Sequence, residues 1–231
     1  VHMRVDDPGY DVAGFVTGSE GTLGVVTRAT LRLCKKPVFV RTMLVGFGSI
    51  ETAIQAVTDI ISAGILPASL EAVDKTNVEA IEAFTHAGYP LDSEAVLIVE
   101  VDGEDSGVLE KDVGRIQDIC RANGGGEFRV AQGDLERESL WEGRRGAYAS
   151  LARLAPNVLV EDGAVPRTKL PETLKKIKAI AAEDNLRVAL LFHAGDGNLH
   201  PQIIFDERNA EQTAAVRRAG QRMLKACVEA G

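Results

Sequence analysis

The stretch RVALLFHAGDGNLHPQIIF, residues 187–205, decides the fold class. Its two apolar runs, 187–192 and 199–205, have the length and residue types of buried strands. Between them lie residues 193–198, HAGDGN, rich in glycine. A link this short can only reverse the chain, because a parallel pair needs a crossover of about a dozen residues or more. The two strands therefore pair antiparallel. With helices alternating between strands elsewhere, the chain reads as α+β: a mostly antiparallel sheet with helices mainly on one face.

Further along the chain, strands are predicted over 38–48, 66–73, 95–101, 127–131 and 158–160. Helical spacing of apolar residues predicts helices over 50–63, 75–86, 107–123, 135–154, 170–183 and 209–229. The triple glycine at 124–126 stops the third of these. Residues 18–24, GSEGTLG, form a glycine-rich turn, and the alternation over 25–33 predicts one more strand. Lys35-Lys36-Pro37 marks a boundary, since proline favours an extended chain before it. The expected units are 1–37 and 38–231. No sequence repeat of roughly 20–50 residues is visible.

At 231 residues, 45% hydrophobic and 26% charged, the chain has a globular composition and can bury a sizeable core. Its net charge of −8 speaks against nucleic acid and anionic membrane surfaces, which need a cationic partner. No apolar run approaches the roughly 20 residues of a membrane span, and no signal peptide opens the chain, so an integral membrane protein is not expected. Cys34, Cys120 and Cys227 are odd in number and lack CxxC spacing. They read as free thiols in a reducing compartment, which points to a cytoplasmic location. The chain opens at Val-His-Met-Arg and closes at Ala230-Gly231, just past the last predicted helix, so it reads as a fragment cut at both ends.

Three constellations could carry chemistry. His193 and His200, two of only four histidines, flank the tight turn. They are either ordinary strand-end residues or two imidazole ligands of one Zn²⁺-like metal, which would need a third ligand and an open position. Asp196 and Asn198 suit local bonds to the turn backbone. The second constellation is LWEGRR, 140–145, whose Arg144 and Arg145 form either a carboxylate clamp or a solvated helix face. The third is the turn at 18–24, where glycines allow backbone amides to approach a phosphate or ring system. No Gly-Lys-Ser/Thr and no helix follows it, which excludes a Walker loop and a Rossmann fingerprint.

GSEGTLGVVT (18–27), LWEGRRGAY (140–148), VEDGAVPRTKLPE (160–172) and HAGDGNLHP (193–201) occur here in one order. Together they resemble the FAD-linked 2-hydroxy acid dehydrogenases of the vanillyl-alcohol-oxidase type, on the glycolate oxidase side of that family. The resemblance spans nearly the whole chain, and HAGDGNLHP is its most specific part.

The resemblance implies a ferredoxin-like cap at 38–231, truncated at its C-terminus, preceded at 1–37 by the last piece of an FAD-binding domain. Gly18, Ser19, Glu20, Gly21 and Gly24 would lie near the FAD. His193 and His200 would bind a divalent metal such as zinc, and Arg144 would grip the substrate carboxylate. The family's third metal ligand and general base belong to a Gly-Glu-His-Gly motif expected just past Gly231. Relatives acting on 2-hydroxyglutarate carry a lysine where this chain has Val160, which implies a small monocarboxylate such as glycolate or D-lactate. The implied partners are that 2-hydroxy acid and other glycolate oxidase subunits, among them an iron-sulfur subunit. On the residues alone, a non-catalytic cap used for gating or subunit contacts and a metal hydrolase also stand.

Overall fold

The computed structural model describes residues 9–231, so the first eight residues of the expected 1–37 segment lie outside the described residues. The chain forms two units that meet in sequence between Lys36 and Pro37.

In the first unit a short helix, α1 (Val12–Val16), starts at Asp11, whose side chain accepts the Gly14 N–H at 2.8 Å. The strand expected over 25–33 does not form, and Val25, Val26, Leu31 and Leu33 are exposed. Alternation gives a segment one apolar face. A strand also needs a neighbour to take its N–H and C=O groups, and no described strand pairs with this segment.

The second unit runs β1 (Phe39–Phe47), α2 (Ile50–Ser62), β2 (Ser69–Asp74), α3 (Lys75–Thr85), β3 (Ala95–Gly103), α4 (Ser106–Ala122) and β4 (Gly125–Val130). It continues α5 (Asp134–Leu151), β5 (Asn157–Val160), β6 (Gly163–Ala164), α6 (Leu170–Glu183), β7 (Arg187–His193), β8 (Asn198–Phe205) and α7 (Ala210–Ala230). One eight-stranded sheet results, in the order β4-β1-β3-β2-β7-β8-β5 with β6 beside β8. Every pairing is antiparallel, as the short hairpin requires.

The connectivity repeats where the sequence does not. The elements β1-α2-β2, β3-α4-β4 give the order β4-β1-β3-β2 of a ferredoxin-like βαββαβ unit. The elements β5-α6-β7-β8-α7 repeat its first five members in mirrored order, and the halves join where β2 pairs with β7.

Four helices, α2, α4, α6 and α7, bury apolar stripes on one face of the sheet. In α2 the stripe is Ile50, Ala53, Ile54, Val57 and Ile60, at helical spacing, and Ser49 caps the start by accepting the Thr52 N–H at 3.1 Å. The other face carries α3 and α5 over Leu44, Val73, Val96, Ile98 and Leu191. Gly143 lets these two helices approach: a Cβ there would lie 2.9 Å from Ala87 Cβ and 3.1 Å from Ile81 Cγ2. The Tyr89 hydroxyl donates to the Leu140 carbonyl at 2.7 Å and fixes α5 at this height.

Asp74 begins α3 from inside the core, and its Oδ1 accepts the Asn77 backbone N–H at 3.1 Å. Burial raises its carboxyl from the ordinary 3.8 to about 6, although the cap hydrogen bonds oppose the rise. The folded value exceeds the unfolded one, so the stability this group contributes is full below pH 3.8 and is lost as pH climbs through about 6. Asp74→Asn keeps the cap acceptor and cannot ionise. Urea unfolding from pH 4 to pH 7 is expected to favour the variant increasingly, by about 3 kcal/mol at the upper end. Parallel stability curves for the two proteins would refute this.

Candidate functional site

The β7–β8 hairpin sets the site. Its register pairs His193 with Asn198 and Leu191 with His200. Side chains alternate along a strand, so Leu191, His193, Asn198 and His200 share the face that carries α3 and α5. Leu190, Phe192 and Leu199 fill the opposite core. Asp196 shapes the turn by accepting the Asn198 N–H at 3.0 Å, and Asn198 Oδ1 is buried with no hydrogen-bond partner among the described residues. Gly197 sits at φ +89°, and a Cβ on it would lie 2.1 Å from the Val165 carbonyl oxygen. The two imidazoles consequently converge, with ring centroids 5.0 Å apart and planes at 88°.

Each ring has a carboxylate behind Nδ1. The β2–β7 register sets Glu71 opposite His193, and Glu71 Oε1 lies 2.7 Å from His193 Nδ1. Asp162 Oδ1 lies 3.6 Å from His200 Nδ1, beyond ordinary hydrogen-bond reach. Burial holds the His200 imidazole below its ordinary value, partly opposed by Asp162, so the ring is neutral at pH 7, the form that ligates metals.

Helix α5 brings Arg137, Trp141 and Arg144 to the same face, because positions four and seven apart lie one above the other. Arg144 donates from Nε and Nη2 to Glu71 Oε2 at 3.0 and 2.8 Å. The two side chains are only 15% and 8% exposed, so this pair is largely out of water. Arg145 points outward to Glu138. The solvated-face reading therefore describes Arg145 and not Arg144. Arg144 has five N–H groups, and three remain for another acceptor.

One strand over, Arg137 grips both Glu100 oxygens at 2.8 Å, while Trp141 Nε1 and the Thr42 hydroxyl donate to Oε2 at 2.7 and 2.6 Å. Burial pushes the Glu100 carboxyl up, yet these donors hold it below its ordinary range. A cleft of about 330 Å³ opens beside Glu71 and His193, with Ser69, Arg167 and Asp196 also on its wall.

Glu71 had no place among the expected site residues. Its one sequence signal is a lone charge inside the apolar run Leu70–Val73, a position that demands a partner when buried.

Among the described residues, no group of three or more His, Cys, Asp and Glu side chains is arranged to hold a metal ion. The histidine pair would supply at most two corners of a tetrahedral site, and its ring centroids stand 5.0 Å apart. A metal about 2.1 Å from each nitrogen leaves the ring centroids roughly 5 Å apart.

In the first unit, Gly18 and Gly21 (both φ +79°) and Gly24 (φ +155°) turn the chain, with Glu20 at φ 49° and Ser19 accepting the Thr22 N–H. Among the described residues, an added Cβ at any of the three glycines would meet nothing within 4 Å.

An antiparallel sheet of ferredoxin-like halves, carrying on one face a buried Arg–Glu pair joined to a half-exposed histidine, defines a class of cap domain. Residues 36–231 match the family model of FAD linked oxidases, C-terminal domain, and the chain belongs to that family. It is 44% identical over 227 residues to the glycolate oxidase subunit GlcD of Escherichia coli (strain K12), covering 98% of this chain and 45% of that one. It is 30% identical to the probable mitochondrial D-lactate dehydrogenase of Danio rerio, covering 94% and 44% of the two chains. The chain thus spans just under half the length of these relatives. Among solved structures, an alkyldihydroxyacetonephosphate synthase superposes with a TM-score of 0.67 at 16% identity, over 98% of this chain and 46% of that one, and shows the shared fold. No helix among the described residues is long and apolar enough to cross a membrane.

Proposed function

We propose that this chain is part of a flavin-dependent oxidoreductase that oxidises a small 2-hydroxy acid, glycolate or D-lactate, to the 2-oxo acid with FAD as hydride acceptor. The observation that carries this reading is the meeting of Arg144, His193 and His200 on one sheet face, joined through Glu71. The likeness to a glycolate oxidase subunit and a D-lactate dehydrogenase supports the substrate class. Residues 38–231 are the cap and 1–37 the end of the FAD-binding domain, with Gly18, Ser19, Glu20, Gly21 and Gly24 beside the cofactor. The protein works in the cytoplasm with further subunits, one of them an iron-sulfur protein.

When bound, FAD supplies the acceptor for hydride leaving C2, and a divalent ion held by His193 and His200 supplies Lewis acidity to the substrate oxygens. This chain's own residues bind and orient. Arg144 takes the substrate carboxylate on the N–H groups that Glu71 leaves unused, and two parallel hydrogen bonds would fix its plane. Val160 places no cation for a second carboxylate.

The test uses the chain as it stands. Titration with Co²⁺ is expected to show weak binding that His193→Ala and His200→Ala each abolish. With Co²⁺ present, Arg144→Ala is expected to weaken glycolate binding at least tenfold, about 1.4 kcal/mol. The chain alone is expected to show no flavin absorbance and no dye-linked turnover of glycolate or D-lactate. Metal affinity indifferent to both histidines, or glycolate affinity indifferent to Arg144, would overturn the reading.

A further inference from the structure

Glu71 commits both of its oxygens to residues of the site. Oε1 meets His193 Nδ1 at 2.7 Å, and Oε2 accepts two bonds from Arg144, at 3.0 and 2.8 Å. The Ser69 hydroxyl adds a longer contact to Oε1 at 3.3 Å. An ionised carboxylate only accepts hydrogen bonds, so the proton of this bond sits on His193 Nδ1. A neutral imidazole with Nδ1–H carries its lone pair on Nε2.

The backbone enforces the arrangement, because β2 and β7 set Glu71 directly opposite His193. A buried carboxylate is costly where an apolar side chain would pack as well, and Arg144 offsets that cost. His200 has no equivalent: Asp162 stands 3.6 Å away and is largely exposed.

We propose that Glu71 is a positioning residue that holds His193 in the Nδ1–H tautomer, with Nε2 bare, and aligns the Arg144 guanidinium through its other oxygen. What Nε2 and Arg144 then bind rests on the functional reading above. The tautomer does not. One carboxylate thereby couples the two halves of the site, as outer hydrogen-bond partners do for metal-bound histidines generally.

Glu71→Gln separates positioning from packing. The amide keeps the shape but offers one acceptor and one donor. With its oxygen on Arg144, its NH₂ faces His193 Nδ1, which must then accept, and the imidazole proton moves to Nε2.

Nitrogen-15 NMR of the chain reads this directly at about pH 8.5, where an ordinary imidazole is neutral. Only four histidines contribute, and His193→Gln assigns the signal. The expected result is Nδ1–H in the parent and Nε2–H in Glu71→Gln. A parent His193 protonated on Nε2 overturns the proposal even if the variant fails to fold. An unchanged tautomer in a folded Glu71→Gln overturns it as well.

Co²⁺ titration is the second arm. Glu71→Gln is expected to weaken binding about 10–100-fold, while Asp162→Asn changes it less than about threefold. Equal effects of the two variants would show that Glu71 does not position the ligand. A parent that takes up no Co²⁺ would sink the functional reading, and the tautomer measurement would still decide the role of Glu71.

Discussion

Arg144→Ala is expected to cost the chain about 3 kcal/mol of stability, because it strands a buried carboxylate. Glu71 is 8% exposed and Arg144 15%, so water replaces little of what the guanidinium provides. The figure sits at the low end of the usual range because His193 stays on Oε1. The penalty belongs to the uncompensated charge rather than to the lost attraction. Adding Glu71→Gln to Arg144→Ala is therefore expected to restore at least half of it. Urea unfolding of the parent, the two single variants and the double variant closes the cycle. Single effects that sum to the double within about 0.5 kcal/mol would mean that the two side chains do not interact.

Gly197→Ala is expected to lower stability by about 3 kcal/mol or more, since the position combines a left-handed backbone with no room for a side chain. The new Cβ would lie 2.1 Å from the Val165 carbonyl oxygen, and that oxygen is backbone which cannot swing aside. Gly195, two residues away, is the control. A Cβ there meets Leu70 Cβ at 3.4 Å, an ordinary contact, and its φ is not in the left-handed range. Gly195→Ala is expected to cost less than about 1 kcal/mol. For a unit of this size the two substitutions translate to drops in Tm of roughly 6–12 °C and under about 4 °C. Equal shifts would show that the turn tolerates a side chain at both glycines. The two imidazoles flank this turn, with ring centroids 5.0 Å apart.

The strands and helices of the second unit were legible because their signals are local. The helix expected over 170–183 is α6 (Leu170–Glu183), and the strands expected over 38–48 and 95–101 differ from β1 and β3 by one or two residues. The strand expected over 25–33 rested on the same kind of alternation and failed, because pairing is not a local property. The α5 arginines show an intermediate case. Two adjacent arginines are equivalent in the sequence, but Arg144 stands seven positions from Arg137, two turns along the same face, and reaches Glu71. Arg145 is rotated by about a further 100° and meets Glu138.

By itself the sequence determined that this chain is α+β, that residues 187–205 form an antiparallel hairpin, and that His193 and His200 flank its turn. Those conclusions follow from periodicity and from a link too short for a crossover. Tertiary structure alone decided that Glu71 faces His193 across 122 positions of chain, and that Arg144 closes on the same carboxylate from α5. It also decided the repeat of βαββα halves, joined at β2 and β7. The physical reason is the same in each case. Strand order, register and helix docking are set by which apolar faces bury one another, and a sequence window of 10 or 20 residues holds only one side of each such contact.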